Sequence, residues 1–145
     1  MCVLKVYSKS YSFTEYAVQC TIPVYSIRNA GEIRCKKTGD VWKENSISFD
    51  VSECDWDDFS GQVQDAILFL KTHKLALANL TTKPFISDAY LDFALWSRLD
   101  GNIINQNDHL PRELIKLCGE LCIGIGMATY ERQAFADEGM AEQRK

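Results

Sequence analysis

Five carboxylates within nine residues are the densest chemical feature of the chain: Asp50, Glu53, Asp55, Asp57 and Asp58, with Trp56 among them. Negative charge of this density is compatible with a basic partner. Part of the cluster has a structural account. Trp56, Phe59, Val63, Ile67 and Leu70 predict a helix ending near Lys71 and His73, and Asp55 or Ser52 can cap its first amides. Acids in its first turn and cations in its last each contribute about 0.3–1 kcal/mol through the helix dipole. One cap and one first-turn acid meet that need, so charge is left over. Trp56 serves either the core or, if exposed, an interface as its anchor.

Histidine chemistry has two candidates, His73 and His109. His73 suits the end of a helix, where a cation complements the dipole. His109 follows Asp108, and an adjacent acid can tune an imidazole if both point into one pocket; in a solvated loop they point apart. Cys118 and Cys122 stand four apart and with His109 suggest a metal. A helix that ends at Gly119 separates the thiols, however, and the tight cysteine pairs of a zinc site are missing. We therefore expect neither catalytic nor metal-binding residues and no cofactor. Gly119, Gly124 and Gly126 do not form a phosphate cradle and instead predict close approach of a helix to a strand. Arg34, Lys36, Lys37 and Lys43 surround Trp42. Without a nucleic-acid-binding fold they read as an exposed hairpin, and no nucleic-acid partner is expected.

The elements that must hold these residues follow from periodicity. Cys2–Tyr7 predicts a strand. Ser10–Cys20 fits a short helix with Ser12 as a possible cap, although Tyr16–Thr21 also fits a strand. Ile27–Val41 reads as a polar loop or hairpin. Trp42–Val51 alternates, with Ile47, Phe49 and Val51 on one face and Ser46, Ser48 and Asp50 on the other. Leu75–Leu80 suggests a further helical turn or two before Pro84. Ile86–Leu99, apolar on both faces, predicts a central covered strand. Residues 100–111 predict an exposed loop. Leu110, Leu114, Leu117 and Leu121 then form a helical stripe capped by Asp108, with Pro111 in its first turn. Cys122–Tyr130 predicts a last strand in the same sheet as Ile86–Leu99. Together these imply an α+β fold: a four-stranded mixed or antiparallel sheet with two to three helices mainly on one face, in one domain over 1–131, followed by a tail over 132–145.

Length and composition allow this. The chain has 145 residues, enough for a core without metals or disulfides, with 46% hydrophobic and 25% charged residues and a net charge of −4. That balance argues against nucleic acid and anionic membranes and is compatible with a basic partner. There is no apolar run of membrane-spanning length and no basic leader at the N-terminus, so a cytoplasmic location is expected. The six cysteines lack a disulfide framework and read as reduced thiols, Cys20, Cys118 and Cys122 as small core groups.

Leu91–Glu131 resembles the closing strand–loop–helix–strand unit of a bacterial family of small proteins with a domain of unknown function. The matching residues are Pro111, Glu113 and Leu114 of a "PxEL" helix and Ile123, Gly124, Ile125 and Gly126 of a "GIGI"-like final strand. Lys37–Trp42, KTGDVW, is similar to that family's basic loop. Small acidic proteins of this kind also resemble the immunity proteins encoded beside polymorphic or contact-dependent growth inhibition toxins. That resemblance implies a non-catalytic inhibitor whose partner is the C-terminal domain of a cognate toxin, basic and of nuclease type. Asp50, Glu53, Asp55, Trp56, Asp57 and Asp58 would then form the toxin-binding face. The alternative is a small ligand-binding or enzymatic domain using the His109 loop. Oligomeric state stays open, because an edge strand could pair with another chain.

Overall fold

The computed structural model describes residues 1–99 and 102–132. Its strands are β1 (Cys2–Ser8), β2 (Val24–Arg28), β3 (Ile33–Cys35), β4 (Asp40–Val41), β5 (Asn45–Ser52), β6 (Asp88–Trp96) and β7 (Gly124–Tyr130). The helices are α1 (Thr14–Gln19), α2 (Phe59–Thr72), α3 (Lys74–Thr81) and α4 (Arg112–Glu120). The α+β class holds, but the main sheet has five strands in the order β2-β5-β1-β6-β7, and β3 and β4 form a separate hairpin. All pairings in the main sheet are antiparallel except β6 with β7.

The strand missed by periodicity is β2, VYSIR. Among the described residues it pairs with β5 alone, and its register shifts between Val24 and Ser26, so an irregular edge strand lacks a clean alternation. Expected features that hold include a short α1, the exposed β3–β4 hairpin, α3 after α2, and β6 and β7 in one sheet, where they prove to be parallel neighbours. The expected tail lies outside the described residues from Gln133 onward.

Strand β6 is interior, yet it is not covered on both faces. Ala89, Leu91, Phe93 and Leu95 are buried, while Tyr90, Asp92, Ala94 and Trp96 are only half-buried. Buried residues of β1 (Cys2, Leu4, Val6) and β5 (Ile47, Phe49, Val51) join the same core as Phe59, Val63, Ala66, Ile67 and Leu70 of α2 and Leu114, Leu117 and Cys118 of α4. Each fully buried Leu, Ile or Phe contributes about 1.5–3 kcal/mol. The other sheet face carries Lys5, Tyr7, Tyr90 and Asp92, with an ion pair between Lys5 and Asp92. Apolar residues on both sides of β6 thus reflect aromatic groups on an open face. Glycines of β7 belong to that face too: a Cβ on Gly126 would lie 3.2 Å from the Tyr90 ring. They make room for Tyr90 rather than for a helix.

Helix boundaries supply further corrections. Helix α2 starts at Phe59, so Trp56 is in the preceding turn and no acid lies in the first helical turn. Neither Asp55 nor Ser52 caps it; Asp58 does, accepting from the Gly61 N–H at 2.8 Å. Pro111 sits at the N-cap position of α4, and no side chain caps that helix. Asp108 is engaged by Arg98 instead. Ser12 likewise does not cap α1. Helix α4 continues through Gly119 and stops in a left-handed turn at Cys122 (φ 53°). There the Ile123 N–H reaches the Cys118 carbonyl at 2.9 Å and the Cys122 N–H that of Gly119 at 3.3 Å, the paired bonds of a Schellman ending.

Candidate functional site

The acidic stretch is held by backbone bonds that complete the sheet. Because β1 begins at Cys2, the last residues of β6 extend beyond it and need other partners. Residues 53–58 supply them. The Trp96 N–H donates to the Trp56 carbonyl at 3.2 Å. Gln62, fully buried on α2, donates from Nε2 to the carbonyls of Asp55 and Ala94, both at 3.0 Å. The amino group of Met1 donates to the Cys54 carbonyl. Gln62 Oε1 has no hydrogen-bond partner among the described residues, a cost of about 1–3 kcal/mol set against two carbonyls clamped. The segment is thus a preformed surface.

Its carboxylates divide in two. Asp58 caps α2, and Asp57 pairs with Arg132. Asp50, Glu53 and Asp55 are exposed, and their carboxylates form no ion pair among the described residues. A sixth carboxylate, Asp65 on α2, stands behind them and accepts from Ser52 Oγ at 2.7 Å and Cys54 Sγ at 3.3 Å.

Trp56 is half-buried. Its ring lies 4.5 Å from that of Trp96 and 4.9 Å from that of Tyr130, and the Arg132 guanidinium lies 5.6 Å from the Trp96 ring. Aromatic contacts of this kind add about 0.5–1.5 kcal/mol beyond area burial. Trp96, Tyr130 and Arg132 were not among the expected site residues. Their signal is the parallel register that sets Trp96 beside Tyr130, which no linear pattern displays. The result is an aromatic cluster bordered by acidic groups.

The structure places His109 on the wall of a shallow groove of about 460 Å³, with Asp57, Asp58, Arg98 and Asp108 also lining it. His109 is exposed. Asp108 accepts from Arg98 Nη2 at 2.6 Å on one carboxylate oxygen and from Gln106 Nε2 at 2.8 Å on the other, so both oxygens are engaged by groups other than the neighbouring imidazole. Desolvation pushes the Asp108 carboxyl up, but the bonds from Arg98 and Gln106 and the Arg98 charge outweigh it and hold the group below the usual aspartate range. The groove therefore contains a structural ion pair and an imidazole with no orienting hydrogen bond among the described residues.

Other candidates are separated by the fold. Cys118 is buried and Cys122 exposed, and burial pushes the Cys118 thiol up to about 11, the wrong direction for a thiolate ligand. Cys122 is thus not the core group expected. Among the described residues no three His, Cys, Asp or Glu side chains converge as metal ligands. His73 ends α2 with its ring 4.8 Å from Phe69. In the hairpin region, Arg28 and Arg34 lie 4.3 and 5.2 Å from the Trp42 ring. No helix among the described residues is long and apolar enough to cross a membrane. Comparison with protein-family models, with curated proteins and with solved structures gives no match to this chain.

Proposed function

We propose that this protein is a non-catalytic immunity protein that binds and neutralises the C-terminal domain of a cognate bacterial toxin in the cytoplasm. The observation that carries this reading is the exposure of Asp50, Glu53 and Asp55, without internal ion pairs, beside the Trp56–Trp96–Tyr130 cluster. Preformed carboxylates around aromatic groups suit a basic protein surface: charge steers encounter and aromatic anchors supply affinity. A nuclease-type toxin domain, basic because it must bind phosphates, has the complementary charge. Catalysis plays no part, since binding alone blocks the toxin's own site.

The test is to mix the purified protein with the toxin domain encoded beside it and measure complex formation and the thermal shift. A tight complex that weakens with salt is expected. A second function, small-ligand binding or catalysis in the His109 groove, is favoured by the meeting of Asp57, Asp58, Arg98 and His109 around one groove. A His109→Ala variant that stays folded and binds toxin normally, but loses a measurable activity of the chain, would favour that second function.

A further inference from the structure

The main sheet ends on two unlike edges. Strand β2 is short, has an irregular register and bears Arg28, whose guanidinium is engaged with Trp42. Strand β7 runs seven residues, GIGMATY, without charge or proline, and no strand lies beyond it among the described residues. Natural edges are usually blunted by charge, proline or a bulge, and an edge left regular and uncharged is a template for another strand.

The hydrogen-bond phase identifies what that edge offers. On one side of β6 the Ala94 N–H reaches the Met1 carbonyl and the Trp96 N–H that of Trp56, each at 3.2 Å. On the other side the Ser97 N–H reaches the Tyr130 carbonyl at 2.7 Å. Backbone groups alternate along a strand, so Gly124, Gly126, Ala128 and Tyr130 direct theirs toward β6. Ile125, Met127 and Thr129 direct theirs outward.

We propose that β7 is a dimerisation edge for a second copy of this chain, the two β7 strands pairing antiparallel about a two-fold axis at Met127. This register is self-complementary. Met127 pairs with the partner's Met127 and Ile125 with the partner's Thr129, so every outward residue both donates and accepts across the interface. Side chains agree with it. Met127, 43% exposed, and Leu99, 53% exposed, line a groove of about 590 Å³ together with Thr129 of β7 and the polar side chains of Gln106, Asn107 and Asp108, the last already engaged by Arg98. Ile104, 91% exposed, lies in the same loop as Leu99. Charge agrees as well. Trp56 joins the acidic segment to β7 at Tyr130, so the two-fold axis sends the two acidic segments to opposite ends of the interface. At about 3.3 Å per residue the two Tyr130 positions are about 20 Å apart, beyond the screening length of about 8 Å at physiological salt. Strand β7 itself carries no charge for a charged partner to recognise, whereas a second copy matches its outward backbone group for group.

The inference rests on β7 and not on the toxin partner, and its test contains no toxin. Sedimentation of the full chain across the micromolar range should show reversible growth to twice the 16.5 kDa chain mass. Amide exchange at Ile125, Met127 and Thr129 should slow as concentration rises, while that at Gly126 and Ala128 stays constant. Met127→Pro removes an N–H that faces away from β6, once in each copy, and should raise the dissociation constant about 30-fold. Should that variant lose its fold, Met127→Lys decides, because it sets two ammonium groups face to face across the axis and should leave a folded monomer. A monomer at every concentration would overturn the proposal. So would outward amides protected independently of concentration, which would mean that this chain covers its own edge, or a dimer that Met127→Lys leaves intact.

Discussion

At the α2 end of the acidic segment the fold engages each carboxylate: Asp58 caps the helix, Asp57 meets Arg132, and across the groove Asp108 holds Arg98. At the β5 end Asp50, Glu53 and Asp55 face solvent without ion pairs among the described residues. The same residue types, a few positions apart, thus fall under different constraints. Engaged carboxylates stabilise the fold, and removing one leaves donors without acceptors. Exposed ones form no ion pair among the described residues, Asp55 adding only a longer-range attraction to the Met1 amino group, so they can change with little loss of structure. That difference separates residues that keep the surface in shape from residues that would contact a partner.

The sharpest way to break the comparison is to neutralise the exposed group alone. Asp50→Asn, Glu53→Gln and Asp55→Asn together should weaken toxin-domain binding about 100-fold or more, read by titration calorimetry. The melting temperature should stay the same or rise slightly. A substantial fall in stability would place these side chains among the structural ones.

Next in size is Asp108→Asn. Its side chain is only 9% exposed against Arg98, so the substitution should cost about 1–3 kcal/mol in urea unfolding, with toxin affinity little changed. Because the folded-state carboxyl lies below its ordinary value of 3.8, its contribution is complete above about pH 4 and is lost as pH falls through the lower folded value. Wild-type stability should therefore drop in that acid range, and Asp108→Asn should flatten the part of the drop due to this group.

Asp58→Ala removes the α2 cap and should cost about 1 kcal/mol. Asp58→Asn, which can still accept from Gly61, should cost much less, and thermal melts of the two would separate capping from charge. The smallest effect belongs to Asp57→Asn. Asp57 and Arg132 form an exposed pair, worth at most about 1 kcal/mol, so any larger loss would mean that the bridge also fixes the Arg132 guanidinium over Trp96 and the ring contacts of Trp56.

How much of this was legible in the residues follows from the same contrast. Alternation in β5, the apolar stripes of α2 and α4, and the placing of β6 and β7 in one sheet come from local patterns, and the α+β class follows from them; that the two strands are parallel neighbours does not. The cap of α2 was misplaced because Ser52, Asp55 and Asp58 are all good cap residues; tertiary bonds choose Asp58 by drawing residues 53–57 across the end of β6. Asp108 looked like a cap for α4 because its distant partner, Arg98, belongs to another loop end. The open sheet face was hidden because Tyr90 and Trp96 count as apolar in a linear pattern yet sit half-exposed. The five acidic positions and Trp56 were visible in composition, whereas Trp96, Tyr130 and Arg132 required strand pairing to appear. Strand β2 stayed hidden because its bulged edge pairing leaves no periodic trace.

The central claim is that exposed carboxylates at the end of β5 recognise a basic toxin domain. Titration calorimetry of the wild-type protein and the Asp50→Asn/Glu53→Gln/Asp55→Asn variant against the neighbouring toxin domain, at low and physiological salt, tests it most directly. The account predicts a tight wild-type complex that loosens with salt and a variant that is equally stable but binds about 100-fold more weakly. Equal affinity of the two proteins at both salt concentrations would contradict it.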